Sequence, residues 1–564
     1  MTDCKTLKMR SRKDSDVIIV GAGLSGITAL YQLRKLGLSC SILEKGSQIG
    51  GVWHWNCYPG ARMDSGVPSY EFSIPECREG WKWSSTYPDY VEIRKYLKHC
   101  DSKLGITEHV IFGTTVQEAN FESEPSQWVV RCDDGQVFGS KYLVMAIGLT
   151  SIATSIDEPE LDRFKGQIIY PSTWPKFGVN PKDKHVAVIG SGCTGVQIVQ
   201  EWADQAKSLT LFQRTPNTAL PMRLKPLDNE MNRVLTTRHR EFMEKRKKIA
   251  TGMADKKPIS KASVDDCLDD RHAFFETLFQ KGGLHFWLSS YGDISDNLDA
   301  NREVYDFWAK KTRARISDPR KRELLAPTEP KHLFGAKRPA LEQRYFEKFN
   351  QESVDVVDVS TNQIHSFTED GIITNDQVLR PVDIIVPCVG FLSPEEIVLS
   401  IDIRGIDGVR LAEVWGQEVS TYLGMMCHGF PNLFILNGPQ SPGELGNAPT
   451  VIEVQVEWLS MMVAKIEQRG LAPIHPTRSA MHRWKDLVQD NSKKPLATRK
   501  KSRFMIFNKI TQELETVYYG GGIPMYMEEL EKSFVNWDWE SNFHVSSQTV
   551  NEIDFSHSLI SSLH

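Results

Sequence analysis

The chain has 564 residues, of which 40% are hydrophobic and 25% charged, and its formal net charge is −5. This composition is typical of a soluble globular protein and excludes a disordered chain, a collagen and a small disulfide scaffold. The acidic balance argues against a dedicated nucleic-acid binder, which is normally basic. At about 150 residues per domain, the length predicts about four domain-sized units.

The ten cysteines and the apolar segments bear on the compartment. The cysteines are scattered singly, and no two of them have the C-x-x-C spacing of a zinc ribbon or a redox dithiol. Single cysteines fit a reducing compartment, so we expect a cytoplasmic protein without a metal site. The first 16 residues show no secretory signal, and no apolar run reaches the roughly 18 residues of a membrane span.

A glycine-rich motif follows the first apolar run of the chain. Residues 17–20 are apolar and β-branched, which predicts a buried parallel strand. The motif G-x-G-x-x-G comes next, then a predicted helix over 27–36 and a predicted strand over 40–43 that ends at Glu44. In this context the motif indicates a dinucleotide-binding unit, with a pyrophosphate at the helix N-terminus and the adenosine ribose on Glu44. The motif glycines are Gly21, Gly23 and Gly26.

The same pattern occurs a second time. A predicted strand over 186–189 leads into the second motif, followed by a predicted helix over 196–206 and a predicted strand over 209–212. Here Arg214 stands near the strand end, where the first unit has an acid. A guanidinium binds a 2′-phosphate that an acid would repel, so we expect FAD or NAD in the first unit and NADPH in the second. Two separate dehydrogenase domains, or one decayed copy, are the alternative. The motif glycines are Gly190, Gly192 and Gly195.

Two further strand-to-glycine segments, 142–148 and 383–390, bracket the second unit. The second domain is therefore predicted to be inserted into the first. We expect an α/β fold of two Rossmann-like dinucleotide-binding domains with a helical insertion. The expected division is a first domain over 1–155 and 385–545, a second domain over 156–222 and 331–384, an insertion over 223–330 and a C-terminal tail over 546–564.

Residues 223–330 differ from both units in their amino-acid composition and predicted secondary structure. They are charged, and their pattern predicts helices, for example over 301–308. We expect this helical insertion to lie over the cofactor cleft. The basic run over 238–248 is interpreted as a solvated helix face and not as a nucleic-acid patch.

Three segments carry a resemblance to a known family: 50–64 (GGVWHWNCYPGARMD), 334–339 (FGAKRP) and 429–442 (GFPNLF followed by GPQSP). They resemble the type I Baeyer–Villiger monooxygenases, which are class B flavoprotein monooxygenases. The overall likeness extends over about residues 15–545. The resemblance implies FAD and NADPH as cofactors, with dioxygen and a small-molecule ketone as substrates. It also implies a reaction through a peroxyflavin that yields an ester or a lactone. The variants at 66–68 and 341–343 are most similar to fungal members.

The resemblance assigns roles to individual residues. Arg338 is implied as the fixed cation beside the peroxide, with Asp64 as its ion-pair partner and orienting group. Lys337 is implied to join Arg214 and Thr215 on the 2′-phosphate. The other cofactor-contacting residues implied by the resemblance are Gly51, Trp53, Tyr70, Val116, Thr194, Gln440 and Arg503.

The chain departs from the family pattern at two places. Tyr170 stands where the family fingerprint has a histidine, and it keeps a hydrogen-bonding hydroxyl but cannot become a cation. Arg503 stands where the family usually has a tryptophan, on a mobile control loop expected at about 493–513. These departures leave two alternatives open: a flavin N- or S-oxygenase of the same superfamily, and an uncoupled NADPH-binding flavoprotein. A disulfide reductase is excluded because no close dithiol exists.

Overall fold

A computed structural model describes residues 12–156, 160–443, 446–471, 473–492, 504–535 and 539–545. Two parallel five-stranded sheets form the centre of the molecule. In each sheet one strand leads into a glycine-rich loop, and a helix follows that loop. The predicted α/β class with two dinucleotide-binding domains is confirmed.

The first sheet is covered on both faces, as expected for parallel strands. Val17 and Ile19 pack on one side, against helices Leu24–Lys35 and Ala448–Arg469. Ile18 and Val20 pack on the other side, against a third sheet. In spatial order the strands of the first sheet are Leu433–Ile435, Tyr142–Met145, Val17–Val20, Cys40–Glu44 and Val110–Phe112.

The second sheet is also built of parallel strands, and its pairing shows which segment of the chain is its last strand. Its strands, in spatial order, are Val354–Asp358, Ser208–Gln213, His185–Ile189, Ile384–Pro387 and Gln167–Ile168. Ile384–Pro387 pairs in parallel with His185–Ile189, so it belongs to this sheet. The boundary expected at residue 385 cuts through that strand; the first sheet is resumed only by Leu433–Ile435.

The remaining described strands form a third five-stranded sheet and four smaller sheets. The third sheet has five strands of mixed direction: Lys13–Asp14, Val137–Ser140, Gln127–Cys132, Val116–Glu122 and Asp402–Arg404. The other sheets consist of Leu220–Pro221 with Leu341–Glu342, of Ile364–Phe367 with Gly371–Thr374 and Leu379–Pro381, of Ile474–Pro476 with Phe543–Val545, and of Met505–Asn508 with Glu513–Thr516.

The two helices that follow the glycine-rich loops begin three residues earlier than predicted. Leu24–Lys35 starts directly after Gly23, and Cys193–Trp202 starts directly after Gly192, because each glycine is the extended N-cap of its helix. The other helices outside the insertion are Val52–Trp55, Pro75–Arg78, Tyr90–Leu104, Tyr345–Lys348, Pro394–Leu399, Leu411–Trp415, Ala448–Arg469, Arg478–Ser492, Gly522–Val535 and Trp539–Asn542. Within the described ranges, no helix is both long and apolar enough to cross a membrane.

The insertion is helical, as predicted, but its basic run is not wholly solvated. The Arg246 side chain is fully buried; it donates to the backbone oxygens of Ser69 and Glu71 and forms an ion pair with Glu453. The insertion is therefore fastened to the first domain by a buried, paired cation. Its helices are Asn229–Thr237, His239–Lys247, Leu268–Lys281, His285–Leu288, Leu298–Arg313 and Pro319–Leu325.

The two passages of the chain between the sheets run side by side. The backbone amide of Thr154 donates to the Gly390 oxygen at 3.0 Å, and that of Leu392 donates to the Ile152 oxygen at 3.0 Å. The hydroxyl of Tyr170 accepts a hydrogen bond from the Ile156 amide at 3.3 Å. Tyr170 thus ties one of the two passages to the second domain, in keeping with the role expected of a hydroxyl at this position.

Candidate active site

The first nucleotide loop, residues 21–26, fits a bound pyrophosphate. Gly21 has φ +102°, and a Cβ there would lie 2.6 Å from the Ala146 oxygen, so the tight turn requires glycine. Among the described residues no side chain caps the helix Leu24–Lys35, so its first amides are available to an anion. Gly51 packs against this loop, because a Cβ on Gly51 would lie 2.8 Å from the Cα of Gly23.

Glu44 holds the first nucleotide loop in place. It is 5% exposed, and its Oε2 accepts the Ala22 amide at 2.7 Å while its Oε1 accepts the Gly46 amide at 2.6 Å. Each carboxylate oxygen has a further lone pair, so the same group can accept from the ribose hydroxyls of FAD. These residues therefore fit the adenosine end of FAD.

The second nucleotide loop, residues 190–195, repeats the geometry. The helix Cys193–Trp202 has Gly192 as its N-cap and, within the described part of the chain, no side-chain cap. A Cβ on Gly192 would meet no atom within 4 Å, so the backbone is open to a large anion here. This loop fits the pyrophosphate of NADPH.

The segment after the second sheet's Ser208–Gln213 strand lies beside this loop. The Ser191 hydroxyl donates to the Thr215 oxygen, and Asn217 donates through Nδ2 to the Ser191 oxygen at 3.0 Å. Oδ1 of Asn217 accepts the Ala340 amide at 3.1 Å, which brings residues 337–340 to the same place. Arg214 and Lys337 are exposed around this junction and fit a 2′-phosphate. The sequence reasoning missed Asn217, although it lies only three residues after Arg214.

The Y-P-G-A-R stretch, residues 58–62, contacts the helix of the second nucleotide loop. The Tyr58 hydroxyl donates to Gln197 at 2.8 Å and lies 3.3 Å from the Thr194 hydroxyl. Gln197 donates in turn to the Arg62 oxygen at 3.1 Å. The segment that leads to Asp64 is therefore packed on the helix of the second nucleotide loop, a contact that the family motif alone does not reveal.

Asp64 and Arg338 form a bidentate ion pair at this junction. Nε of Arg338 donates to Oδ2 of Asp64 at 2.6 Å, and Nη2 donates to Oδ1 at 2.9 Å. Their side chains remain 29% and 22% exposed, respectively, so the pair is partly open to solvent and not enclosed in the core. The structure thus brings together the two residues for which a joint catalytic role was predicted, from positions 274 residues apart in the chain.

The charges at the site are fixed by this pairing. Burial raises the pKa of the Asp64 carboxyl, but the charge and hydrogen bonds of Arg338 outweigh it and hold the pKa below its usual value. Desolvation by the surrounding protein, and then the charge of Asp64, raise the pKa of the exposed Cys193 thiol to about 11. The pair is therefore ionised at neutral pH, and Cys193 is a neutral thiol.

The other predicted cofactor contacts differ in how they are presented. The Trp53 indole donates to the Tyr70 hydroxyl at 3.0 Å, and burial raises the pKa of Tyr70, which stays a neutral phenol beside Asp64. Val116 opens the third-sheet strand Val116–Glu122. Gln440 is 1% exposed and its Oε1 accepts both the amide and the hydroxyl of Thr421 at 2.8 Å; its contact with FAD stays a prediction.

The structure does not describe every residue of the predicted site. Arg503, with residues 493–502 of the expected control loop, lies outside the described residues. The nine cysteines of the described ranges are all free thiols. In the same ranges no group of three or more His, Cys, Asp or Glu is arranged to hold a metal ion.

Comparisons with known proteins agree with this geometry. The family model described as pyridine nucleotide-disulphide oxidoreductase matches residues 15–250. The FAD-binding monooxygenase acrE of Aspergillus aculeatus is 40% identical over 516 residues, which are 91% of this chain and 87% of that protein. Cyclopentanone 1,2-monooxygenase of a Comamonas species is 36% identical over 518 residues, 92% of this chain and 94% of that protein. A crystal structure of OTEMO in complex with FAD and NADP has a TM-score of 0.89 at 31% identity and covers 95% of this chain and 100% of that one.

Proposed function

The chain belongs to the type I Baeyer–Villiger monooxygenases, and we propose that Arg338 and Asp64 carry out its reaction. These enzymes contain FAD, depend on NADPH and convert a ketone to an ester or lactone with dioxygen. When bound, FAD that NADPH has reduced supplies the activated oxygen atom that is inserted beside the carbonyl. The observation that carries the proposal is the bidentate ion pair, which stays partly exposed beside Cys193 at the start of the second nucleotide loop's helix.

Arg338 is proposed to stabilise negative charge on the reacting oxygen atoms. A fixed guanidinium acts strongly in a site with little water, and it needs no reorganisation during the reaction. Asp64 occupies Nε and Nη2 of Arg338 and so fixes the plane of the guanidinium. Tyr70, a neutral phenol held by Trp53, adds a hydroxyl beside this pair without adding a charge.

The nucleotide loops are proposed to hold the two cofactors. Glu44 accepts the adenosine ribose of FAD, and the amides of residues 21–26 bind its pyrophosphate. Arg214, Thr215 and Lys337 bind the 2′-phosphate of NADPH beside residues 190–195. We keep the division into domains as a proposal, with its last boundary moved beyond the strand Ile384–Pro387. The free cysteines of the described ranges support the cytoplasm as the proposed location.

Small cyclic ketones are the proposed first substrates to examine. The Comamonas relative, 36% identical over nearly its whole length, acts on cyclopentanone. The retained cation and its carboxylate partner support attack on a carbonyl over the oxygenation of an amine or a sulfide, because developing oxyanion charge is what a fixed cation stabilises.

The experiment incubates purified protein with NADPH, air and a panel of ketones that includes cyclopentanone, and identifies the products by mass. We expect a lactone from at least one cyclic ketone. Arg338→Ala should retain FAD but lose about 3 kcal/mol of transition-state stabilisation, about a hundredfold in turnover. Arg240→Ala, on an exposed helix face, is the control.

Three outcomes decide against parts of the proposal. Turnover of Arg338→Ala at near the parental rate removes Arg338 from the mechanism. Oxidation of amines or sulfides with no ketone product supports the N- or S-oxygenase alternative. Consumption of NADPH with only hydrogen peroxide released, for every ketone tested, supports an uncoupled flavoprotein.

A further inference from the structure

The helical insertion brings a buried lysine to the residue that follows Asp64. Lys256 is 2% exposed. Its Nζ donates to the backbone oxygen of Ser65 at 3.1 Å and to Oδ1 of Asp255 at 2.9 Å. A buried ammonium is costly unless it is paired and hydrogen-bonded, so this placement requires a compensating role or partner.

The segment that carries Lys256 is held on several sides. The Asn447 amide donates to the Thr251 oxygen at 2.7 Å, and the Thr450 hydroxyl donates to the Gly252 oxygen at 2.9 Å. The Ala254 amide donates to the Ser69 hydroxyl at 3.2 Å. These contacts join the insertion both to the helix Ala448–Arg469 and to the loop after Asp64, so the position of the ammonium is defined by the fold.

Asp255 connects this lysine to the interior of the insertion. Its Oδ2 lies 3.2 Å from Nε2 of His285, and Nδ1 of His285 lies 3.2 Å from the Ser289 hydroxyl. The Asp255 side chain is 56% exposed; partial desolvation acts against its charge, but His285 and Lys256 outweigh it and lower the pKa of Asp255. Asp255 is therefore an anion that serves as counterion to Lys256.

The charges around Asp64 come from several parts of the fold. Arg338 is its direct partner, and Lys256 lowers the pKa of Asp64 further by its charge. The Tyr87 hydroxyl lies within electrostatic reach of both Asp255 and Asp64, and burial first, then these two anions, raise its pKa. Tyr70 and Cys193 also face Asp64 and are neutral: burial raises the pKa of Tyr70, and desolvation and then the charge of Asp64 raise the pKa of the exposed Cys193.

We propose that Lys256 is a positioning residue for the Baeyer–Villiger reaction: it fixes the backbone beside Asp64 and adds a second positive charge next to the Asp64–Arg338 pair. The inference rests on the proposed roles of Arg338 and Asp64. Lys256 is not proposed to touch substrate or cofactor. It acts through Asp64, whose orientation sets that of the Arg338 guanidinium.

The physical consequence of removing the ammonium follows from its two contacts. An apolar side chain at position 256 would leave the Ser65 oxygen without this donor and Asp255 without this cation. Relaxation of either group moves the loop that carries Asp64, and a small misplacement of a positioned group lowers a rate disproportionately.

The test compares Lys256→Met with Lys257→Met, a matched change at the exposed neighbouring lysine. Turnover of a ketone that the parental enzyme oxidises, hydrogen peroxide released per NADPH and bound FAD are measured for each. We expect Lys256→Met to lose about tenfold in turnover and to release more peroxide, with FAD retained, and Lys257→Met to match the parental enzyme. Lys256→Arg, which keeps the charge and the donors, should return to within about threefold of parental turnover.

A double-mutant cycle with Arg338→Ala separates a positioning role from a merely structural one. If Lys256 acts through Arg338, adding Lys256→Met to Arg338→Ala should cost little more turnover. Full additivity would overturn the proposal, as would equal turnover of Lys256→Met and Lys256→Arg. Should Lys256→Met fail to fold, Asp255→Asn carries the comparison, with an expected loss of about threefold that must also vanish in the Arg338→Ala background. A normal rate for Arg338→Ala itself would instead refute the proposed function.

Discussion

Replacing Glu44 with glutamine tests how the first nucleotide loop is held. The two side chains have nearly the same shape, but glutamine presents one oxygen and one NH₂ group. In the structure both carboxylate oxygens accept a backbone amide, from Ala22 at 2.7 Å and from Gly46 at 2.6 Å. In the variant one of these amides must face another donor.

The magnitude follows from those two bonds. A buried donor left without its acceptor costs about 1–3 kcal/mol, and Glu44 is 5% exposed, so water does not substitute for it. If about 2 kcal/mol of this falls on the conformation that binds FAD, the dissociation constant rises about thirtyfold. Loss of the negative charge also weakens the hydrogen bond to a ribose hydroxyl.

The assay is fluorescence titration of the apoprotein with FAD, alongside urea unfolding of the same samples. Glu122→Gln, an exposed change at the end of a third-sheet strand, is the control and should leave both quantities unchanged. FAD affinity of Glu44→Gln within about twofold of parental would refute the reasoning, because it would mean that neither amide needs its acceptor.

Three further predictions concern the second loop, the interdomain passage and pH. Arg214→Ala should raise the KM for NADPH about tenfold and leave that for NADH unchanged, since only the 2′-phosphate pairs with the guanidinium; equal effects on both would contradict this. Tyr170→Phe should lower the free energy of unfolding, measured in urea, by about 1 kcal/mol, because the Ile156 amide loses its acceptor. An unchanged free energy of unfolding would contradict a stabilising role for this hydrogen bond. The folded pKa of Asp64 lies below its usual 3.8, so the stability contributed by its pair with Arg338 is present above that pH and lost as pH falls through the folded value. The unfolding difference between the parental protein and Asp64→Asn should therefore shrink below about pH 4, and a difference that is constant down to about pH 3 would contradict it.

Much of the cofactor framework could be predicted because it is local in sequence. A strand, a G-x-G-x-x-G loop and a helix follow one another within about 20 residues in a unit of this kind, so their arrangement is set by the chain itself. Glu44 and Arg214 each stand at or next to the end of the following strand, and that position fixes them beside the loop. The predicted helix starts were late because periodicity marks apolar residues and does not mark an N-cap glycine.

What could not be predicted depends on contacts between distant segments. Ile384–Pro387 is followed by Gly390, like a closing strand of either domain, and only pairing shows that it joins the second sheet. The inward turn of Gln440 follows from its bonds to Thr421, which no motif contains. Lys256 lies in a polar, charged stretch whose composition predicts exposure to solvent. It is buried because the loop of residues 65–69 packs over it.

The central claim is that this enzyme inserts one atom of dioxygen beside a ketone carbonyl. The most direct measurement supplies NADPH and a cyclic ketone such as cyclopentanone under dioxygen labelled with heavy oxygen and determines the mass of the product. We expect a lactone that carries one labelled oxygen atom, at a rate that Arg338→Ala lowers about a hundredfold. NADPH oxidation that yields only labelled hydrogen peroxide with every ketone offered would contradict it.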